Sequence, residues 1–335
     1  VRWLTCKGNE SGEPNERGAA GVIVALMMLV LIGAGAVAVD VGQIYSERAQ
    51  LQNGADAGAL AVALSCKNGI CNSALADSLA NSNSNDAASA AAVDYSVPGQ
   101  VTVTTSTKNG SSSFLTNLFS NAINASPVSV GAQATAGFFF PGSGSGFPLA
   151  LSDDCYNLST ASSAGTVQKI SYKPGGTCTG PSGTQIPGGW GWLDQSSPCE
   201  ATTQVGNNNM GSDPGNNPPS GCSTILSTWK TTLLAGGNVN VEFPVFDTST
   251  GNGQGGSFHI TGYATFKIWG WKFGNNGVYE FRNTSSDPGM TSALACSSGN
   301  DRCIIGQFIK YNTIGAGNTL PGGIDLGTSE IRLIK

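Results

Sequence analysis

From Gly18 to Val39 the chain runs for 22 residues without a charge, ending at Asp40. At 1.5 Å per residue, such a helix crosses a hydrocarbon core of about 30 Å. The helical pattern does not stop there. Val41, Ile44, Tyr45, Leu51, Ala55, Ala59, Leu60 and Leu64 recur at spacings of three, four or seven, one apolar stripe at helical period. Glu47, Arg48, Gln50, Gln52 and Asn53 lie off that stripe. A cleaved signal peptide has an apolar core of roughly 7–15 residues followed by a small-residue cleavage site. This run is longer and continues as helix, so the pattern predicts a retained anchor that extends into a stalk ending near Ser65.

Beyond the stalk the period changes. Ser73–Tyr95 is alanine-rich and interrupted by Asn and Ser, and it predicts a second helix. Val101–Thr107 alternates and is β-branched, so it predicts a strand. Ser113–Ile123 places Phe114, Leu118 and Phe119 on one helical face, and Pro127–Phe139 predicts a further strand. Residues 96–139 thus form a strand–helix–strand unit. Pro141–Gly146 (PGSGSG) has the composition of a linker. After it, apolar runs are short and turn residues dense. Strands are expected at Phe147–Leu151, Thr166–Lys173, Asn238–Phe246, Ser257–Phe273, Cys303–Tyr311 and Ser329–Ile334, with one helix at Ser223–Leu234.

The fold class is therefore α+β. A single N-terminal transmembrane helix continues into a helical stalk with a small strand–helix–strand unit. A disulfide-stapled, β-rich, sandwich-like domain follows. The expected divisions are a cytoplasmic tail (1–17), the span (18–39), the stalk and membrane-proximal unit (40–139), the linker (140–146) and the exported domain (147–335).

Charge sets the orientation and excludes one class of partner. Arg2, Lys7 and Arg17 precede the span, and only Arg48 closely follows it. This bias predicts a cytoplasmic N-terminus and an extracytoplasmic C-terminal domain. The net charge of −5 and the lack of any Lys/Arg cluster argue against nucleic acid, which needs a basic face.

Nine cysteines are present. Cys6 falls on the cytoplasmic side of the expected topology. The remaining eight fall outside, where an even number reads as disulfides. Nearest-neighbour pairing gives Cys66–Cys71, Cys155–Cys178, Cys199–Cys222 and Cys296–Cys303. Zinc is disfavoured because no Cys-x-x-Cys occurs and His259 is the only histidine.

Residues 17–64 carry a more specific signature. Arg17-Gly18-Ala19 precedes the span, and Ala38-Val39-Asp40-Val41-Gly42 closes it. Tyr45 with Arg48 and Leu51-Gln52-Asn53 follow, and then Ala55-Asp56-Ala57. This combination resembles the N-terminal segment of TadE/TadG-like proteins of Flp pilus assembly. Val101-Thr102-Val103, Phe114–Phe119 and Val128–Ala136 extend the resemblance to residue 139. It implies a single-pass, bacterial membrane protein that works with pilin or pseudopilin-like components of a Tad-type secretion site. Two features depart from relatives of this kind. Asp247-Thr248-Ser249-Thr250-Gly251 lacks the last serine of a von Willebrand A metal motif, so a hairpin loop is expected there. Gly8 and Glu13 have prepilin-peptidase spacing, but the apolar core starts only near Gly18, so such processing is not expected.

Candidate sites follow from these readings. Gly18, Gly21, Gly33, Gly35, Asp40 and Gly42 are the expected anchor and helix-packing positions, since small residues let helices approach closely in lipid. Ile44, Tyr45, Leu51, Ala55 and Leu60 form the expected stalk contact stripe. Its occupant is either a partner or the chain's own second helix. Trp190, Trp192, Trp269 and Trp271 lie in pairs two apart and form either a β-sheet core or a candidate ligand surface that would stack on a glycan or a partner protein. Any Ser-His-Asp site would need His259, which reads as an ordinary mid-strand residue. Asp153-Asp154 reads as a surface loop. The loops around Asp213 and Asp247 are acidic enough to suggest calcium but fit no loop motif. No cofactor, no catalytic residue and no metal site is expected. The function expected is a non-enzymatic assembly component, with a cell-surface binding or adhesive module as the alternative.

Overall fold

The computed structural model describes residues 16–108, 119, 126, 128–153, 155–156, 158, 165–172, 178–179, 185–186, 188–207, 210–211, 213, 218–250, 256–296, 299, 301–314 and 321–334. The chain divides into two compact units. The first comprises residues up to 58 with 73–94 and 102–134, and the second 59–72, 95–101 and the chain from 135 onward. Cys6 and most of the expected Ser113–Ile123 helix lie outside the described residues.

The first unit is built on α1 (Glu16–Lys67), a single helix of 52 residues whose last turns fall in the second unit. α2 (Ala74–Asn83) is followed by β1 (Ser89–Asp94), β2 (Gln100–Thr107) and β3 (Gly131–Phe139). β1 pairs antiparallel with β2, from Ser89 opposite Thr107 to Asp94 opposite Thr102.

The expected helix over Ser73–Tyr95 is therefore half helix and half strand. The cause lies in its Asn/Ser/Asp run, whose side chains compete for backbone groups. The Asp86 carboxylate accepts from the Ala88 N–H at 3.0 Å. Asn81 Oδ1 accepts from the Ser89 N–H at 3.0 Å, and Asp77 Oδ1 from the Ala91 N–H at 2.8 Å. Once the helix is ended in this way, Ala90–Ala92 pair with Thr104–Ser106 despite their helix-forming composition.

In the second unit, β4 (Ser143–Gly146) and β5 (Leu149–Ser152) follow Pro141 directly. Then come β6 (Gln168–Ser171), β7 (Cys178–Thr179), β8 (Gln185–Ile186), β9 (Trp190–Trp192), β10 (Ala201–Gln204) and β11 (Met210–Gly211). After α3 (Ser223–Leu234) come β12 (Val239–Thr250), β13 (Ser257–Lys272), β14 (Glu280–Phe281), β15 (Cys303–Ile309), β16 (Tyr311–Ile314) and β17 (Thr328–Leu333). The PGSGSG stretch is not a free linker. Its backbone forms β4, paired antiparallel with β10, and the Tyr263 ring fills the space beside Gly144.

The main sheet runs β6-β15-β13-β12-β5-β9, with β11 and β14 pairing β13. Its long hairpin of β12 and β13 is antiparallel, whereas β5 joins β12 in parallel. α3 supplies Leu226, Trp229 and Leu233 to the principal core, with Phe147, Leu149, Trp192, Phe243, Phe266, Trp271 and Phe308. The Trp229 ring lies 4.7 Å from that of Phe147 and 5.8 Å from that of Trp271. A smaller cluster gathers Ala150, Leu193, Ala201, Phe246 and Ile260.

The four cysteine pairs expected from spacing are all at bonding distance: 66–71, 155–178, 199–222 and 296–303. Cys199 and Cys222 are fully buried in the principal core.

Candidate functional site

α1 changes character along its length. From Val22 to Val39 its large apolar side chains are all exposed, and Leu31 and Ile32 each reach 71%. A water-soluble protein rarely leaves such a surface bare. α1 contains the one candidate membrane span among the described residues, and its most apolar window is entirely unburied. A Cβ added at Gly21, Gly33, Gly35 or Gly42 would meet nothing within 4 Å, so this small-residue surface is open. Gly18 also lies in α1; its surroundings fall outside the described residues.

Asp40 closes the apolar run. It is only 4% exposed, and its Oδ1 accepts the Phe119 N–H at 3.1 Å. Glu47, one to two turns on, is also buried. Burial first, and the Asp86 charge second, push its carboxyl above the usual range.

The packed face of the stalk differs from the stripe read by hydropathy. Leu51 and Ala55 are buried, but Tyr45 is 71% exposed, and Ile44 and Leu60 are half-buried. Gly54 and Gly58 complete the packed face. A Cβ at Gly54 would come within 2.9 Å of Ala80 Cα, and one at Gly58 within 3.3 Å of Ala76 Cα. Gly54-xxx-Gly58 on α1 therefore crosses Ala76-xxx-Ala80 on α2 in antiparallel sense. The four-residue spacing of both pairs was the available signal. A hydropathy count gives glycine no weight, so the stripe includes the buried Leu51, Ala55 and Ala59 but omits Gly54 and Gly58. Leu51 packs with Ile44, Val128, Val130 and Ala132. The buried Thr105 hydroxyl donates to the Leu51 carbonyl at 2.9 Å. Within the first unit, then, this part of the stalk is covered by the chain's own α2, β2 and β3.

The tryptophans do not form the candidate ligand surface. Trp190, Trp192 and Trp271 are at most 2% exposed. Trp190 and Trp192 meet edge to face at 5.1 Å inside the principal core. Trp269 is half-buried and packs in a separate cluster with Met290, Cys303 and Ile305. The separation of Trp269 from Trp271 follows from a register shift in the β13–β15 pairing between Ile268 and Gly270.

His259 and Asp247 are brought together. His259 Nδ1 lies 2.6 Å from Asp247 Oδ1, with both side chains part-exposed. Phe246 pairs with Ile260 and Thr248 with His259, so Asp247 is the extra residue of a bulge opposite His259. Sequence distance hid this pair. Among the described residues no group of three metal-binding side chains gathers. Asp154 and residues 251–255 lie outside the described residues.

Residues 18–65 match the family model described as putative Flp pilus-assembly TadE/G-like. The matched segment starts in the bare apolar half of α1 and ends at the last residue before Cys66. It therefore spans both the open glycine surface and the Gly54–Gly58 crossing. No curated protein and no solved structure gives a significant match. The match is confined to α1 and takes in only residues 59–65 of the second unit.

Proposed function

We propose that this chain is a membrane-anchored, non-enzymatic component of a Tad-type pilus or secretion apparatus. The observation that carries the reading is the bare glycine-containing surface of α1 inside the TadE/G-like match. In this reading residues 18–39 cross the membrane, with the N-terminus cytoplasmic by the Arg2, Lys7 and Arg17 bias. Gly18, Gly21, Gly33, Gly35 and Gly42 admit close approach of pilin or pseudopilin-like helices. The stalk is covered by the chain's own α2, β2 and β3, which hold the anchor to the first unit. The disulfide-stapled unit is exported.

Replacing residues 18–39 by an unrelated span of equal length tests this. Membrane insertion should persist while pilus assembly or secretion is lost. Normal assembly by the swapped chain would refute the proposal.

A further inference from the structure

We propose that Phe119 and Tyr45 form an aromatic anchor that rests on the lipid headgroup–acyl boundary beside the span. This inference rests on the reading of residues 18–39 as membrane-crossing. It adds a second attachment of the first unit to the bilayer, distinct from the span itself.

The geometry starts at Asp40, the first charge after the apolar run. Side chains on a helix lean toward its N-terminus, here toward the membrane. The Asp40 carboxylate therefore lies near the level of the last apolar turn. Phe119 is 79 residues away in sequence, yet its N–H donates to that carboxylate at 3.1 Å. The hydrogen bond fixes Phe119 at the depth where hydrocarbon gives way to headgroups. Phe119 is 45% exposed, and Val39 and Val41 beside Asp40 are 52% and 44% exposed. These surfaces continue the bare apolar surface of Val22–Val37.

Tyr45 extends the same zone. Five residues beyond Asp40 place it about 7.5 Å further along the axis. The headgroup layer is about 5–7 Å thick on each side of the core. With its lean toward the membrane, the Tyr45 ring falls within that layer, and it is 71% exposed. Tyrosine is enriched at this depth because its apolar body and polar tip suit the boundary, and the Phe119 ring adds an apolar surface to the acyl side of it. The occupant is therefore the bilayer surface.

Depth measurement tests the proposal on the full chain. In a Cys6→Ser background, single cysteines at Leu29, Tyr45, Ser78 and Phe119 are labelled with an environment-sensitive dye. Each variant is reconstituted in vesicles of phosphatidylcholine and phosphatidylglycerol carrying shallow or deep spin-labelled lipid. Leu29 reports the span, and the exposed Ser78 on α2 reports solvent. The expected result is quenching at 119 and 45 by the shallow label, with blue-shifted emission relative to Ser78. Adding Asp40→Ala should shift the signal at 119 toward that of Ser78. Quenching at Leu29 without quenching at 119 and 45 overturns the aromatic anchor alone. Absence of quenching at Leu29 overturns the membrane-crossing reading as well. An unchanged signal at 119 after Asp40→Ala overturns the role of the hydrogen bond.

Discussion

Gly54→Ala isolates the closest approach in the first unit. A Cβ there lies 2.9 Å from Ala80 Cα, which is backbone and cannot rotate aside. Such overpacking costs about 1–3 kcal/mol. The same change strengthens the helix by about 1 kcal/mol, because glycine is a poor helix former. The expected balance is a loss of about 1 kcal/mol in the α1–α2 contact, or about fivefold in a local opening constant. Hydrogen exchange of the Ala74–Asn83 amides in detergent micelles reads this directly, as faster exchange in α2. Gly42→Ala is the matched control. Nothing lies within 4 Å of its Cβ, so only the gain in helix stability remains. Gly58→Ala, at 3.3 Å from Ala76 Cα, should fall between the two. Unchanged or slower α2 exchange in Gly54→Ala would refute the close-approach reasoning.

Other predictions address the interior and its charges. Replacing Cys199 and Cys222 by serine opens a loop with a sequence separation of 23, which should cost about 3 kcal/mol and lower the thermal midpoint of the second unit. Trp192→Ala should cost about 3–5 kcal/mol of stability, measured by denaturant unfolding, since its ring is buried in the principal core. Glu47→Gln should stabilise the first unit at neutral pH. Burial disfavours the charged form, so ionisation of the unfolded state above about pH 4.5 opposes folding. The advantage should vanish as the pH falls below that value, as read by stability curves of both chains. Tyr263, pushed up to about 12 chiefly by burial, should make stability decline between pH 10 and about 12. That decline should be weaker in Tyr263→Phe, with burial of Tyr156, which also raises its phenol, supplying the remainder.

Much of this architecture is legible in the sequence where a single period governs a segment. The 22-residue apolar run and the β12–β13 hairpin belong to that class, as does α3, whose bounds coincide with the expected Ser223–Leu234. Short cysteine spacings in turn-rich loops led to the four pairs seen at bonding distance. What escaped reading depends on contacts between distant residues or on a change of phase. β1 arises because Asn81, Asp77 and Asp86 bind backbone that an alanine count assigns to helix. The bulge between Ile268 and Gly270 sends Trp269 and Trp271 into different clusters, although strict alternation puts both on one face. Asp247 and His259 meet only because a second bulge sets both Asp247 and Thr248 opposite the ring. The Asp40–Phe119 contact spans 79 residues and has no local trace at all.

The four short cystine loops also decide how the chain would bear tension. A pull along the backbone passes from Cys66 to Cys71 directly, leaving Lys67–Ile70 slack and the Lys67–Asp325 ion pair off the load path. The other three pairs shelter their loops in the same way. Roughly fifty residues are thereby withheld from extension, on the order of 170 Å of contour at about 3.4 Å per residue. The oxidised chain is thus a shorter and stiffer tether than its length suggests. Reduction would release that reserve one loop at a time, as discrete steps in a force–extension trace.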